Sequence, residues 1–73
     1  MKPQQILGSN VRKLREAKGW SQEDLGEKSD LHRTYVSGIE RGVRNPTLTI
    51  IFKLAGALGV EASKLIGKSG GKL

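Results

Sequence analysis

No part of this chain can run as a helix for more than roughly four turns, because glycine interrupts the apolar periodicity wherever a turn is due. Gly19, Gly42 and Gly59 each stand directly after a helical pattern, where a left-handed residue ends a helix. The chain must therefore fold as several short helices packed on one another. Pro3 suits a first helical turn, and Leu7, Val11 and Leu14 recur at i, i+4 and i+7. This predicts a helix from about Pro3 to Lys18, with Arg12, Lys13, Glu16 and Lys18 left to solvent. Trp20, just past Gly19, is placed to fold back on the last turn.

Three local signals agree on the next start. Ser21 is a helix cap, Asp24 stands at the capping-box spacing from it, and Trp20 and Leu25 occupy the positions of a hydrophobic staple. Glu23, Asp24 and Glu27 come early and Lys28 late, as the helix dipole favours, and the helix ends near Ser29. Asp30 falls in a tight turn with a left-handed backbone, which Asp tolerates better than most non-glycine residues. Leu31 and Val36 repeat the staple spacing around His32 or a neighbour as cap. A third helix then runs through RTYVSGIER, with Val36 and Ile39 facing inward.

The polar turn Val43-Arg44-Asn45-Pro46 leads to Thr47, the cap of a fourth helix, LTIIFKLAGAL. Leu48, Ile51, Ala55 and Leu58 form its expected core stripe, while Ile50, Leu54 and Ala57 widen the apolar arc beyond the roughly 100° that one core face needs. A last short helix, from about Glu61 to Ile66, presents Leu65 and Ile66. The residues GKSGGKL after it read as a polar, glycine-rich flexible tail in which Lys68 and Lys72, like Lys64 before it, are solvated cations. The chain has neither a strand pattern nor an internal repeat. The expected fold is all-α, a compact bundle of about five short helices, with one domain over 1–67 and a tail over 68–73.

Composition narrows the chemistry. The AVILMFWYC share of the 73 residues is 36%, and with the ten glycines counted in it is close to half, enough for a small core. With no cysteine there is no disulfide, thiolate metal site or cysteine nucleophile. His32 is the single histidine, so two-histidine zinc sites and Ser-His-Asp chemistry both lack parts. No catalytic residue, metal, cofactor or small-molecule effector is expected, and the chain does not read as an enzyme. No apolar run approaches the roughly 18 residues that cross a bilayer, and MKPQQILGSN lacks the apolar stretch of a signal peptide, so a soluble, cytoplasmic protein is expected. Thirteen Lys+Arg against seven Asp+Glu give a net charge of +6, which calls for an anionic partner. The cations sit on helix starts and loops, not along one amphipathic helix, which favours nucleic acid over a membrane surface.

From Gln22 to Gly42, QEDLGEKSDLHRTYVSGIERG places two helices around a tight turn, with apolar positions only where they must touch each other and the first helix. That pattern is a helix-turn-helix over 22–42. Gly26 lies inside the first of the pair where the second must cross closely, a reason to tolerate glycine's helix penalty of about 1 kcal/mol. The elements R-x-L-R, G-W-S-Q, L-x-x-x-x-x-L and I-E-R-G, followed by N-P and a helix ending in L-G-V, resemble the phage-repressor and Cro-type (Xre) DNA-binding domain over most of the chain. Within that family HRTYVSGIERGVRNP most resembles the controller proteins of restriction–modification systems. Asp30 departs from the usual turn glycine, Gly26 from the usual alanine, and Glu61 from the usual Ser or Thr cap, which predicts weaker local stability at those points.

The docking geometry of such motifs brings the first residues of the second helix to base edges in the major groove. Arg33, Thr34 and, one turn on, Ser37 are the base-contact candidates, and Gly38 beside Ser37 on the same exposed face permits close approach. Ser21, His32, Arg44 and Asn45 are candidates for phosphate contacts, with Arg41 and Lys53 weaker ones. Tyr35 fits either a phosphate or base contact or a half-buried structural ring. The resemblance assigns the Gln22 side chain to backbone contact and support of the reading helix, and Arg15 and Glu40 to a salt bridge between the first and third helices.

One such domain offers few base contacts, so a homodimer reading two half-sites of double-stranded DNA is expected. Ile50, Leu54, Ala57, Leu65 and Ile66 are the candidate interface, unless the last helix folds back to cover that edge within one chain. The expected function is a sequence-specific transcription regulator; the alternative is an antitoxin or adaptor whose main ligand is a protein.

Overall fold

In the computed structural model, which describes residues 2–67, five helices follow one another: α1 (Pro3–Ala17), α2 (Gln22–Ser29), α3 (Arg33–Glu40), α4 (Leu48–Leu58) and α5 (Ala62–Ile66). The expected tail over 68–73 lies outside the described residues. No helix among the described residues is long and apolar enough to cross a membrane.

The local signals act as expected. The Ser21 hydroxyl accepts from the Asp24 N–H while Asp24 accepts from the Ser21 N–H, both at 2.9 Å, and Thr47 caps α4 by accepting from the Ile50 N–H at 3.3 Å. Glu61, in contrast, stands at the start of α5 without a side-chain cap bond. Four helices end in one pattern, a left-handed residue followed by a residue whose N–H reaches back five positions. These bonds run from Trp20 to Arg15, Leu31 to Gly26, Val43 to Gly38 and Val60 to Ala55, at 2.8–3.2 Å. The left-handed residue is glycine at 19, 42 and 59 but Asp30 in the α2–α3 turn, with φ 60°. Gly26 makes that turn possible, since a Cβ there would lie 2.5 Å from the Leu31 carbonyl oxygen.

α1 runs against α3, α4 and α5, and α4 packs against both α2 and α5. Leu7 and Val11 from α1, Leu25 from α2, Val36 and Ile39 from α3, Leu54, Ala55 and Leu58 from α4, and Leu65 from α5 close the core. Each large side chain so buried contributes about 1.5–3 kcal/mol.

Two expectations fail on α4 and α5. Leu48, expected in the core stripe, is 65% exposed, whereas Leu54 and Leu65, expected at an intersubunit edge, are 0% exposed within the chain itself. Because α4 is apolar nearly all round, periodicity does not choose its inner face; packing between α2 and α5 turns Leu54 inward, and α5 folds back to bury Leu65. Ile50 and Ala57 are half-buried against the core, and of the expected edge only Ile66 stays exposed. The large exposed apolar side chains on α4 are Leu48 and Phe52, one turn apart.

Candidate nucleic-acid interface

The orientation of α3 is held by one carboxylate. Glu40, with a side chain 4% exposed, accepts from Arg15 Nε at 2.7 Å and Nη2 at 3.0 Å, so the expected bridge between α1 and α3 forms as a two-pronged pair. Arg15 also donates through Nη1 to the Trp20 carbonyl at 2.7 Å, and Gln22 donates through Nε2 to Glu40 Oε1 at 3.0 Å. The start of α2, the end of α1 and the end of α3 are thereby fixed to one another. The hydrogen bond to Glu40 raises the Arg15 pKa further against the opposing effect of burial, so the guanidinium stays charged.

That pairing takes the carboxylate of α3 off its exposed face. Glu40 is the only acid of α3, and it is neutralised inside, while Arg33, Thr34 and His32 stand exposed at the helix start. His32 caps α3 by accepting the Thr34 N–H on Nδ1 at 3.1 Å, which leaves Nε2 as the nitrogen that can donate outward. Arg33 and Thr34 keep exposed side chains where the helix N-terminus favours an anion. One turn on, the half-buried Ser37 hydroxyl accepts from Arg41 Nε at 3.3 Å and retains its own proton to donate.

Residues 11–65 match the family model described as helix-turn-helix. The chain belongs to the helix-turn-helix family. It is 46% identical over 66 residues to control protein C.SmaI of Serratia marcescens, covering 90% of this chain and 79% of that protein. Among solved structures it resembles the restriction–modification controller protein C.AhdI of Aeromonas hydrophila, with TM-score 0.82 and 50% identity over 85% of this chain and 94% of that one. It also resembles the controller protein C.Esp1396I, solved as a tetramer in complex with its natural 35 base-pair operator, with TM-score 0.78 and 39% identity over 84% of this chain and 80% of that one.

Within this helix-turn-helix chain the candidate contacts fall into three groups. His32, Arg33, Thr34 and Ser37 lie along α3, and Ser21 and Gln22 lie at the start of α2, where Glu40 ties Gln22 to α3. The third group follows α3, and beside it one expectation, the exposure of Gly38, fails. Arg44, a candidate phosphate contact in the loop after the third helix, lies back against α3, its guanidinium carbon 5.3 Å from the centroid of the half-buried Tyr35 ring. Gly38, expected on the exposed face, is buried, because the Arg44 side chain covers it. Asn45 stays exposed in the loop, and Lys53 lies 3.8 Å from Asp30, both exposed. Among the described residues no group of three or more His, Cys, Asp or Glu side chains could hold a metal.

Asn10 escaped the sequence reading. Its Nδ2 donates to the carbonyls of Leu65 and Gly67, both at 2.7 Å, and so secures the end of α5 to α1. The available signal was a polar residue three positions after Leu7, on the inward stripe of α1.

Proposed function

We propose that this chain is a cytoplasmic, homodimeric, sequence-specific DNA-binding transcription regulator of restriction–modification genes, with residues 1–67 as its DNA-binding domain. The observation that carries the reading is the exposed start of α3, with Arg33 and Thr34 free to reach a groove and the helix's one carboxylate buried on Arg15. Phosphate contacts from Gln22, His32 and the loop residues position α3, and Arg33, Thr34 and Ser37 read bases. A two-pronged Arg contact to guanine discriminates by about 1–3 kcal/mol, so two copies are needed for useful selectivity. The C.Esp1396I complex, a tetramer on operator DNA, supports paired reading.

The exposed Leu48 and Phe52, one turn apart on α4, are where a second copy sits, in place of the Leu54 and Leu65 that the core takes up. In-vitro selection of bound duplexes from a random pool tests the function. A two-fold symmetric consensus with half-sites about 34–36 Å apart is expected. Binding without a consensus, steep in salt, would leave only a nonspecific cationic surface and favour a protein as main ligand. Phe52→Asp is expected to yield folded monomers by sedimentation, because the side chain it replaces is largely outside the core.

A further inference from the structure

The stop of α3 has an unusual consequence. Gly42 turns left-handed, the Val43 N–H returns to the Gly38 carbonyl at 3.0 Å, and the chain doubles back so that Arg44 lies beside the helix it has just left. A Cβ built on Gly38 would come within 2.7 Å of Arg44 Cγ and 3.3 Å of its Nε. The Arg44 stem therefore lies on the bare Cα of Gly38, and its guanidinium reaches the Tyr35 ring, 5.3 Å from the centroid. Glycine at this point is a poor choice for the helix alone, since it weakens a helix interior relative to alanine. The close approach of Arg44 accounts for it.

We propose that Gly38 is a positioning residue for DNA binding: the space left by its missing side chain, backed by the Tyr35 ring, seats Arg44 against α3 before DNA arrives. The inference rests on the DNA-binding reading above. An arginine on a surface loop loses much rotamer freedom when it grips a phosphate, and a side chain already seated has lost it on folding. The guanidinium carbon lies over the Tyr35 ring, and a cation held by an aromatic face spends no N–H on it, so the donors of Arg44 are left for a phosphate beside α3. Arg44 then acts as part of the reading helix.

The test is a double-mutant cycle on the selected duplex, with binding followed against salt. Arg44→Ala is expected to weaken binding roughly ten- to a hundredfold and to lower the salt slope by about 0.9, the loss of one phosphate contact. Gly38→Ala is expected to melt at or above the wild-type temperature yet lose most of that same affinity, with little further loss when Arg44→Ala is added. The Arg44→Ala penalty should survive in Tyr35→Phe, which keeps the ring, and shrink in Tyr35→Leu. In the DNA-free protein, the ring-current shift of the Arg44 side-chain protons should vanish in Gly38→Ala and Tyr35→Leu. Additive effects of Gly38→Ala and Arg44→Ala, or wild-type binding by Gly38→Ala, overturn the seat while the regulator reading stands. If Arg33→Ala also leaves sequence preference intact, the regulator reading itself fails.

Discussion

Two of the polar ties between α1 and the rest of the described residues differ in kind. Near its end, Arg15 meets Glu40 in a charged, two-pronged pair that also engages Gln22 and the Trp20 carbonyl. Five residues earlier along the helix, Leu7 and Val11 flank Asn10, a neutral amide that donates to the carbonyls of Leu65 and Gly67 at the end of α5. The first tie aligns the start of α2 and the end of α3 with α1. The second closes the opposite flank, where a five-residue helix starts without a side-chain cap. The charged tie carries a large desolvation cost that only its full set of partners offsets, whereas the neutral one answers only the needs of a helix end.

The difference is broken most sharply by Arg15→Ala, which strands the nearly buried Glu40 carboxylate with Gln22 as its remaining partner. Urea unfolding should show a loss of about 3–5 kcal/mol. Glu40→Ala should cost less, since the stranded guanidinium keeps the Trp20 carbonyl and is the more exposed partner. Strong coupling between the two substitutions is expected; additive effects would reject the pair.

Asn10→Ala should cost about 1–3 kcal/mol, the loss of its bonds to two carbonyls at the end of α5. Its signature is spatial. Amide hydrogen exchange should quicken in α5 while the α2–α3 amides keep their protection, and a uniform loss would show that the two ties are not separable.

Asp30→Gly sharpens the contrast from the other side, because it relieves a left-handed Asp, φ 60°, in the α2–α3 turn. Left-handed strain outweighs the extra chain entropy of glycine, so a gain of up to about 1 kcal/mol is expected. The 3.8 Å contact with Lys53 is exposed and adds little. A lower melting temperature would contradict this account of the turn.

The smallest effect is a pH dependence. The Ser21 backbone N–H, and then its hydroxyl, hold the Asp24 carboxyl below the usual carboxylate range. Folding therefore favours the ionised form, so the cap's contribution is complete above the unfolded carboxyl's value near 3.9 and fades as pH falls through the lower folded value. The stability gap between wild type and Asp24→Asn should be constant at neutral pH and narrow below about pH 4.

What was legible in the sequence was local. The Ser21–Asp24 box, the left-handed stops and the Gly26 crossing each depend on a few neighbouring residues, and each stands as read. The Arg15–Glu40 bridge spans 25 positions and was reachable only through resemblance to a family. Tertiary choices were hidden. Leu48 and Leu54 are equally apolar and both lie on the wide apolar arc left by the narrow strip of Thr49, Lys53 and Gly56, and packing against α2 and α5 takes Leu54 in and leaves Leu48 out. The return of Arg44 to Gly38 depends on the path of the chain after Gly42, which no periodicity encodes.

Reading of DNA by α3 is tested most directly by the affinity of wild type and Arg33→Ala for the selected duplex and for a random duplex across a salt series. The expected result is a fall of roughly five- to a hundredfold in the ratio of specific to nonspecific binding, with nonspecific affinity little changed. An unchanged ratio, with both affinities falling together or neither, would make Arg33 a plain phosphate contact and contradict the reading role of α3.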